Sequence, residues 1–120
     1  MRHWSLRGII SFENPFLILV LGRYTSNQTS HPHDLIPFLN HLKPDRTWAT
    51  CAFGPLEHAA ASAALAMGGH VRVGFENNMF LKTGERAGRN ADLIRQVCEV
   101  AEAIGRPVAT AEDVRKLFAE

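Results

Sequence analysis

The sequence is poor in cysteine: Cys51 and Cys98 are the only two, and they lack the C-x-x-C spacing of a metal or redox motif. They fall in different predicted elements, which favours reduced core residues over a disulfide or a metal pair. A membrane span needs about 20 apolar residues, and the longest apolar run covers only residues 16–21. The N-terminal residues show no signal-peptide pattern. We therefore expect a cytoplasmic protein without a membrane partner.

A charge of one sign is also lacking, since 13 Lys and Arg residues balance 12 Asp and Glu residues. Without a basic surface, a nucleic-acid partner is not indicated. No glycine-rich phosphate loop opens a helix after a strand, which disfavours a nucleotide-binding α/β domain. The content of 46% hydrophobic and 21% charged residues is typical of a soluble globular chain. Its 120 residues suffice for one domain with a core, so we treat residues 1–120 as one domain.

Three strand-like segments are present, at about residues 16–21, 48–53 and 70–76. The first is a near-continuous apolar run of the kind found in buried parallel strands. Because helical patterns separate and follow the strands, the chain is predicted to be α/β with a parallel sheet. A sheet of three strands leaves two open edges, so the chain looks like three consecutive units of something larger.

The helical patterns have recognisable starts. Asp34 can cap a short helix, and the alanine-rich segment 56–67 predicts a helix that packs closely on the sheet. Asn90 is the expected cap of the next helix and Thr110 that of the last one. The inner stripe of the last helix would consist of Val114, Leu117 and Phe118.

The third predicted strand carries the most informative pattern. Polar and small residues alternate with apolar ones, so one face would hold His70, Arg72, Gly74 and Glu76 and the other Val71, Val73 and Phe75. A cation, a gap and a carboxylate on one face are typical of the wall of a site. In a parallel barrel the carboxyl ends of the strands carry the chemistry.

Structural explanations compete with these functional ones. Glu76 alone would fit a solvated strand end, Arg72 a structural ion pair and His70 a core histidine. Three further residues are interpreted structurally, by loop formation, packing and the helix dipole respectively: Asn78, Trp48 and Glu57.

The segment from Gly68 to Asn78, GGHVRVGFENN, resembles the beta-keto acid cleavage enzymes, whose founding activity is 3-keto-5-aminohexanoate cleavage in lysine fermentation. The similarity extends along nearly the whole chain. Downstream matches are Gly84, Ala87, Asn90, the segment 105–110, Glu112 and Arg115, and upstream the segments 16–22 and 48–54 resemble the two preceding barrel strands.

This resemblance implies a fold and a reaction. The fold would be the last three βα units of a zinc-dependent (β/α)8 TIM barrel. The reaction would be an acyl transfer, in which a β-keto acid and acetyl-CoA give acetoacetate and a new acyl-CoA, with Zn²⁺ as Lewis acid.

The resemblance also implies roles for three residues. Glu76 corresponds to a zinc ligand, and Arg72 to an arginine that orients the substrate and stabilises negative charge. Asn77 stands where the commonest family form has an aspartate assigned to proton abstraction. Since an amide cannot accept a proton as a carboxylate can, the chain would be a variant subgroup or impaired.

The family's other two zinc ligands, in an HxH motif, belong to an early strand that we do not find in this sequence. The segment His31-Pro32-His33 follows the first predicted strand, where loop and helix-start residues are a better interpretation than a metal site. Two hypotheses therefore remain open. One is the zinc-dependent enzyme; the other is a non-catalytic truncated fragment that associates with itself or with a complementary barrel chain.

Overall fold

Three parallel strands form the sheet in the computed structural model, which describes residues 15–119. They are β1 (Leu17–Leu21), β2 (Trp48–Ala52) and β3 (His70–Arg72), in the spatial order β1-β2-β3. The predicted α/β class with a parallel sheet is confirmed. β1 and β2 lie within the predicted segments and are one residue shorter.

Within residues 15–119, four α-helices accompany the strands. A 3-10 turn at Pro32–Asp34 leads into the short α1 (Leu35–Leu39). The remaining helices are α2 (Glu57–Ala66) between β2 and β3, and then α3 (Asn90–Ala103) and α4 (Ala111–Phe118) after β3. Among the described residues no helix has the length and apolar character to cross a membrane.

The prediction that β3 extends to residue 76 is wrong, because the strand ends at Arg72. The Gly74 amide donates to the side chain of Glu57 instead of a neighbouring strand. The Gly74 carbonyl accepts from the amides of Asn77 and Asn78, at 3.0 and 3.1 Å, which closes a turn. Glu76 therefore lies in a turn after the strand and not on its face.

One face of the sheet is covered by the alanine-rich α2. Ala60 and Ala64 are completely buried, together with Leu35 of α1. The small alanine side chains allow the helix to approach the strands closely, as the sequence predicted. The strand residues in this cluster are Leu19, Leu21, Trp48 and Ala52. A second cluster joins α2 to α3 through Ala61, Leu65, Val97 and Ala101.

The opposite face of the sheet is more open. Ile18 and Val20 are 48% and 39% exposed, whereas Leu19 between them is buried, so β1 alternates between its two faces. The strand register places Val20 beside Cys51 and Cys51 beside Arg72. Arg72 therefore belongs to the open face.

The two later helices differ from the prediction in detail. Arg89, not Asn90, is the N-cap of α3, and the Asn90 side chain accepts a hydrogen bond from the Phe75 amide instead. Thr110 caps α4 as predicted, accepting from the amide of Asp113. The predicted inner stripe of α4 is largely exposed: Val114, Leu117 and Phe118 are 44%, 41% and 58% exposed. Its contact in the described chain is at Phe118, whose ring lies 5.2 Å from the ring of Phe16, between centroids.

Gly69→Ala tests the close contact between β3 and β2. A Cβ at Gly69 would overlap the ring of Trp48, so we expect the substitution to lower the free energy of unfolding by about 1–3 kcal/mol. Urea denaturation measures it. Gly88→Ala is the matched control, since its Cβ would meet only Asp92 Oδ2 at an ordinary 3.6 Å, and we expect a change within about 0.5 kcal/mol. Equal effects of the two substitutions would contradict the packing argument.

Candidate functional site

The loops that follow the three strands meet at the carboxyl edge of the sheet. The Ser30 hydroxyl, after β1, donates to the carbonyl of Phe53 at 2.9 Å, and Ser30 is fully buried. The Gly54 amide, after β2, donates to the carbonyl of Asn77 at 3.0 Å. These bonds fix the three loops against one another, at the edge where parallel α/β sheets carry their ligand sites.

Arg72 and Glu76 come together at this edge as an ion pair between Arg72 Nη2 and Glu76 Oε2. Their side chains are 50% and 66% exposed. The sequence predicted that the two groups share one side of a strand, and they do meet, although Glu76 reaches back from the turn. Because the pair faces water, it adds little to stability and both groups are accessible.

Two buried asparagines follow Glu76 in the turn, Asn77 and Asn78, which are 7% and 6% exposed. The Asn78 side chain donates to the Phe80 carbonyl at 2.6 Å and accepts from the Phe80 amide at 3.1 Å. Its predicted part in forming the loop is thus confirmed. Asn77 Oδ1 is buried and has no hydrogen-bond partner among the described residues.

Glu57 is the residue of this edge that the sequence interpretation missed. It opens α2, is only 1% exposed, and accepts from the Gly74 amide and from Asn78 Nδ2, each at 3.3 Å. Burial raises the pKa of the Glu57 carboxyl, and the hydrogen bonds that it accepts offset part of the rise. An acidic residue in the first helical turn is too common to signal such a role.

Cys51 and His70 lie on the open face of the sheet, next to Arg72 or in register with it. Burial raises the pKa of the Cys51 thiol, and the nearby charge of Arg72 offsets part of the rise. The raised pKa favours an unreactive thiol. The His70 ring lies 6.1 Å from the ring of Phe16, between centroids. Burial and then the charge of Arg106 lower the pKa of His70, which is half-buried and lies outside both core clusters.

Zinc would need more ligands than this edge offers. Within residues 15–119 no three His, Cys, Asp or Glu side chains are grouped to hold a metal ion. The rings of His31 and His33 are 6.4 Å apart, and the Asp34 carboxylate is occupied by the His31 amide at 2.8 Å. The donor set of the described residues therefore does not fit a zinc site, and Glu76 could supply one ligand only.

The fold and the site together define the class of this protein. It is a parallel α/β unit whose sheet carries an arginine, carboxylates and asparagines at its carboxyl edge. The family model of the beta-keto acid cleavage enzymes matches residues 1–119, so the chain belongs to that family. The resemblance inferred from the sequence is confirmed.

Relatives of this chain include enzymes that are more than twice as long. The 3-keto-5-aminohexanoate cleavage enzyme of Acetoanaerobium sticklandii is 35% identical over 87 residues, 72% of this chain and 32% of that protein. The 3-oxoadipate:acetyl-CoA acetyltransferase of Cupriavidus necator is 40% identical over 67% of this chain and 28% of that protein. The 3,5-dioxohexanoate:acetyl-CoA acetone transferase of Paraburkholderia graminis is 24% identical over 98% and 39%. The chain thus spans about a third of the length of these relatives.

The lowered pKa of His70 predicts a loss of stability in acid. A histidine that is held neutral in the folded state must bind its proton on unfolding, so the free energy of unfolding falls as the pH drops below the ordinary value of 6.5. His70→Phe keeps a ring beside Phe16 and removes the titrating group. We expect its urea midpoint to change less between pH 7.5 and about pH 5.5 than that of the unmodified protein. Some dependence will remain, because burial also lowers the pKa of His58. An unchanged pH dependence in the variant would contradict the assignment.

Proposed function

We propose that this protein serves in acyl exchange between a β-keto acid and acetyl-CoA, giving acetoacetate and a new acyl-CoA. The observation that carries the proposal is the pairing of Arg72 with Glu76 at the carboxyl edge of β3, inside a segment that matches the family. The Cupriavidus relative supports it, since its name joins acetyl-CoA to the keto acid 3-oxoadipate.

Arg72 is the proposed substrate-orienting residue. Its guanidinium is half exposed and already faces a carboxylate, that of Glu76. The planar fork of donors suits the carboxylate of a β-keto acid, and its permanent charge would stabilise negative charge that develops on the substrate.

Glu76 is the proposed zinc ligand. Its carboxylate is exposed at the tip of the turn, where a cation could reach it. A catalytic zinc site has three protein ligands, so at least two must come from outside residues 15–119. Zinc bound there would supply a Lewis acid for the keto group.

Asn77 takes a different part from the family's aspartate. Its amide can donate and accept hydrogen bonds but has no basic oxygen, so we assign it hydrogen bonding and not proton abstraction. Its buried Oδ1, without a partner among the described residues, is available as an acceptor if the turn opens toward a ligand.

The fold that we propose for the whole enzyme is a (β/α)8 TIM barrel, with this chain as its last three βα units. Three parallel strands with α2 crossing between the last two are the arrangement that such units require. In the described chain β1 and β3 are paired on one side only, which leaves room for the remaining strands.

A second candidate function is association alone, with a second copy or with a complementary barrel chain. A cavity of about 450 Å³ lies between β3, α3 and the residues that follow α3. It is lined mainly by apolar side chains, among them Val71, Val73, Ile94 and Val97, and Ile94 is 51% exposed. An unpaired strand edge beside such a groove suits the addition of a further strand.

An assay with and without the missing barrel part separates the two candidates. We expect the purified chain alone to bind zinc weakly and to form no acetoacetate from acetyl-CoA and a β-keto acid, because its ligand set is incomplete. Co-expression with the early barrel strands of a longer relative is expected to restore turnover. Clear turnover by the isolated monomer would reject association as its sole function.

Glu76→Gln tests the ligand in the restored enzyme. We expect a loss of turnover of about a hundredfold or more, with a change in unfolding free energy below about 1 kcal/mol, since the Arg72 pair is exposed. Glu112→Gln is the matched control, because it removes another exposed carboxylate that is paired with an arginine, Arg115. Full activity of the Glu76 variant would contradict the proposed role.

A further inference from the structure

The turn at residues 74–78 is bonded at both ends by a buried carboxyl group. Glu57 Oε2 accepts from the Gly74 amide where the turn begins, and Glu57 Oε1 accepts from Asn78 Nδ2 where it ends, each at 3.3 Å. One carboxylate therefore spans both ends of the segment whose tip is Glu76. The contact crosses 17 and 21 residues of sequence, from the first residue of α2 to the loop after β3.

Two further bonds fix the same turn from other directions. The Gly54 amide donates to the Asn77 carbonyl at 3.0 Å, and the Phe75 amide donates to Asn90 Oδ1 at 2.9 Å. Neither involves a charged group. Glu57 is the side chain that bonds both ends of the turn, and its two bonds, at 3.3 Å each, are longer than these two.

A buried carboxylate lowers stability if it only fills space in the core. Glu57 is 1% exposed, and no salt bridge of the described residues includes it. Desolvation of a carboxylate without a cation costs several kcal/mol unless hydrogen bonds compensate it. A feature that costs stability at a site edge is typical of a positioning role.

We propose that Glu57 is a positioning residue, whose carboxylate fixes the turn 74–78 and thereby places Glu76 and Asn77 at the carboxyl edge of the sheet. The part of this inference that concerns catalysis rests on the proposed function. The part that concerns the turn does not, because it follows from the hydrogen bonds alone.

Glu57 also gives a physical reason for the amide at position 77. The Asn77 side chain lies near the Glu57 carboxyl, and its proximity lowers the pKa of that group. Both residues are buried, so an aspartate at 77 would set two negative charges side by side at low dielectric. The neutral asparagine avoids this repulsion.

Amide hydrogen exchange of the full chain, measured by NMR in the Glu57→Gln variant, tests whether the Glu57 carboxylate holds the turn 74–78. The glutamine keeps the size but loses the charge and turns an NH₂ group toward one of the two donors. We expect exchange at the Gly74 backbone amide and at the Asn78 side-chain amide to become about ten- to a hundredfold faster. The Thr50 and Cys51 amides of β2 should change by less than about threefold, since the effect is local.

Two results would overturn the proposal. One is unchanged exchange at Gly74 and Asn78; the other is an equal acceleration at β2, which would make Glu57 an ordinary contributor to global stability. Glu112→Gln, which removes an exposed carboxylate from α4, is the control and should leave the turn unaffected. If Glu57→Gln does not fold, Glu57→Asp, one methylene shorter, is measured in the same way with the same expectation.

A double-mutant cycle tests the pairing of Glu57 with position 77. Asn77→Asp should lower the unfolding free energy in the unmodified chain, and should lower it much less when Glu57→Gln is also present. Equal effects in the two backgrounds would reject the juxtaposition.

The hydrogen-exchange and stability measurements need no turnover, so they remain decisive if the proposed acyl exchange is not found. In the restored enzyme, Glu57→Gln is expected to reduce kcat with KM for acetyl-CoA unchanged.

Discussion

Close packing of α2 on the sheet is the constraint on which the rest of the structure depends. Ala60 and Ala64 are completely buried, and such small side chains let the helix lie near the strands. Gly69 makes the same kind of space for the ring of Trp48 at the start of β3. Because α2 packs in this position, its first residue, Glu57, lies at the carboxyl edge of the sheet.

The carboxyl edge of the sheet differs from the core in which polar groups it buries. It buries an unpaired carboxylate and two asparagines while it leaves the Arg72–Glu76 pair in water. Burying the ion pair would have favoured rigidity, and exposing Glu57 would have avoided desolvation. The observed arrangement does the opposite, with the Glu57 carboxyl buried and the Arg72 and Glu76 side chains exposed. Such an arrangement suits a turn that must hold its shape while its outer groups meet a ligand.

The chain belongs to the beta-keto acid cleavage enzymes and matches about a third of the length of its relatives. β1 and β3 each have one partner in the described chain, and the apolar residues of α4 are exposed. Under the proposed function, Glu76 would supply one ligand of a metal site and the other ligands would come from outside residues 15–119.

The sequence by itself determined the elements of this protein and their order, because hydrophobic period, glycine stops and capping residues such as Thr110 act within a few neighbouring positions. It also placed Arg72 and Glu76 together, four residues apart. Only the tertiary structure decided where β3 ends, since Gly74 finds its acceptor 17 residues away in Glu57. The same long-range contact explains why Glu57, an ordinary residue for a helix start, is buried and bonded to the turn after β3. Local patterns predict what neighbouring residues do to one another, whereas burial depends on what the folded chain brings near.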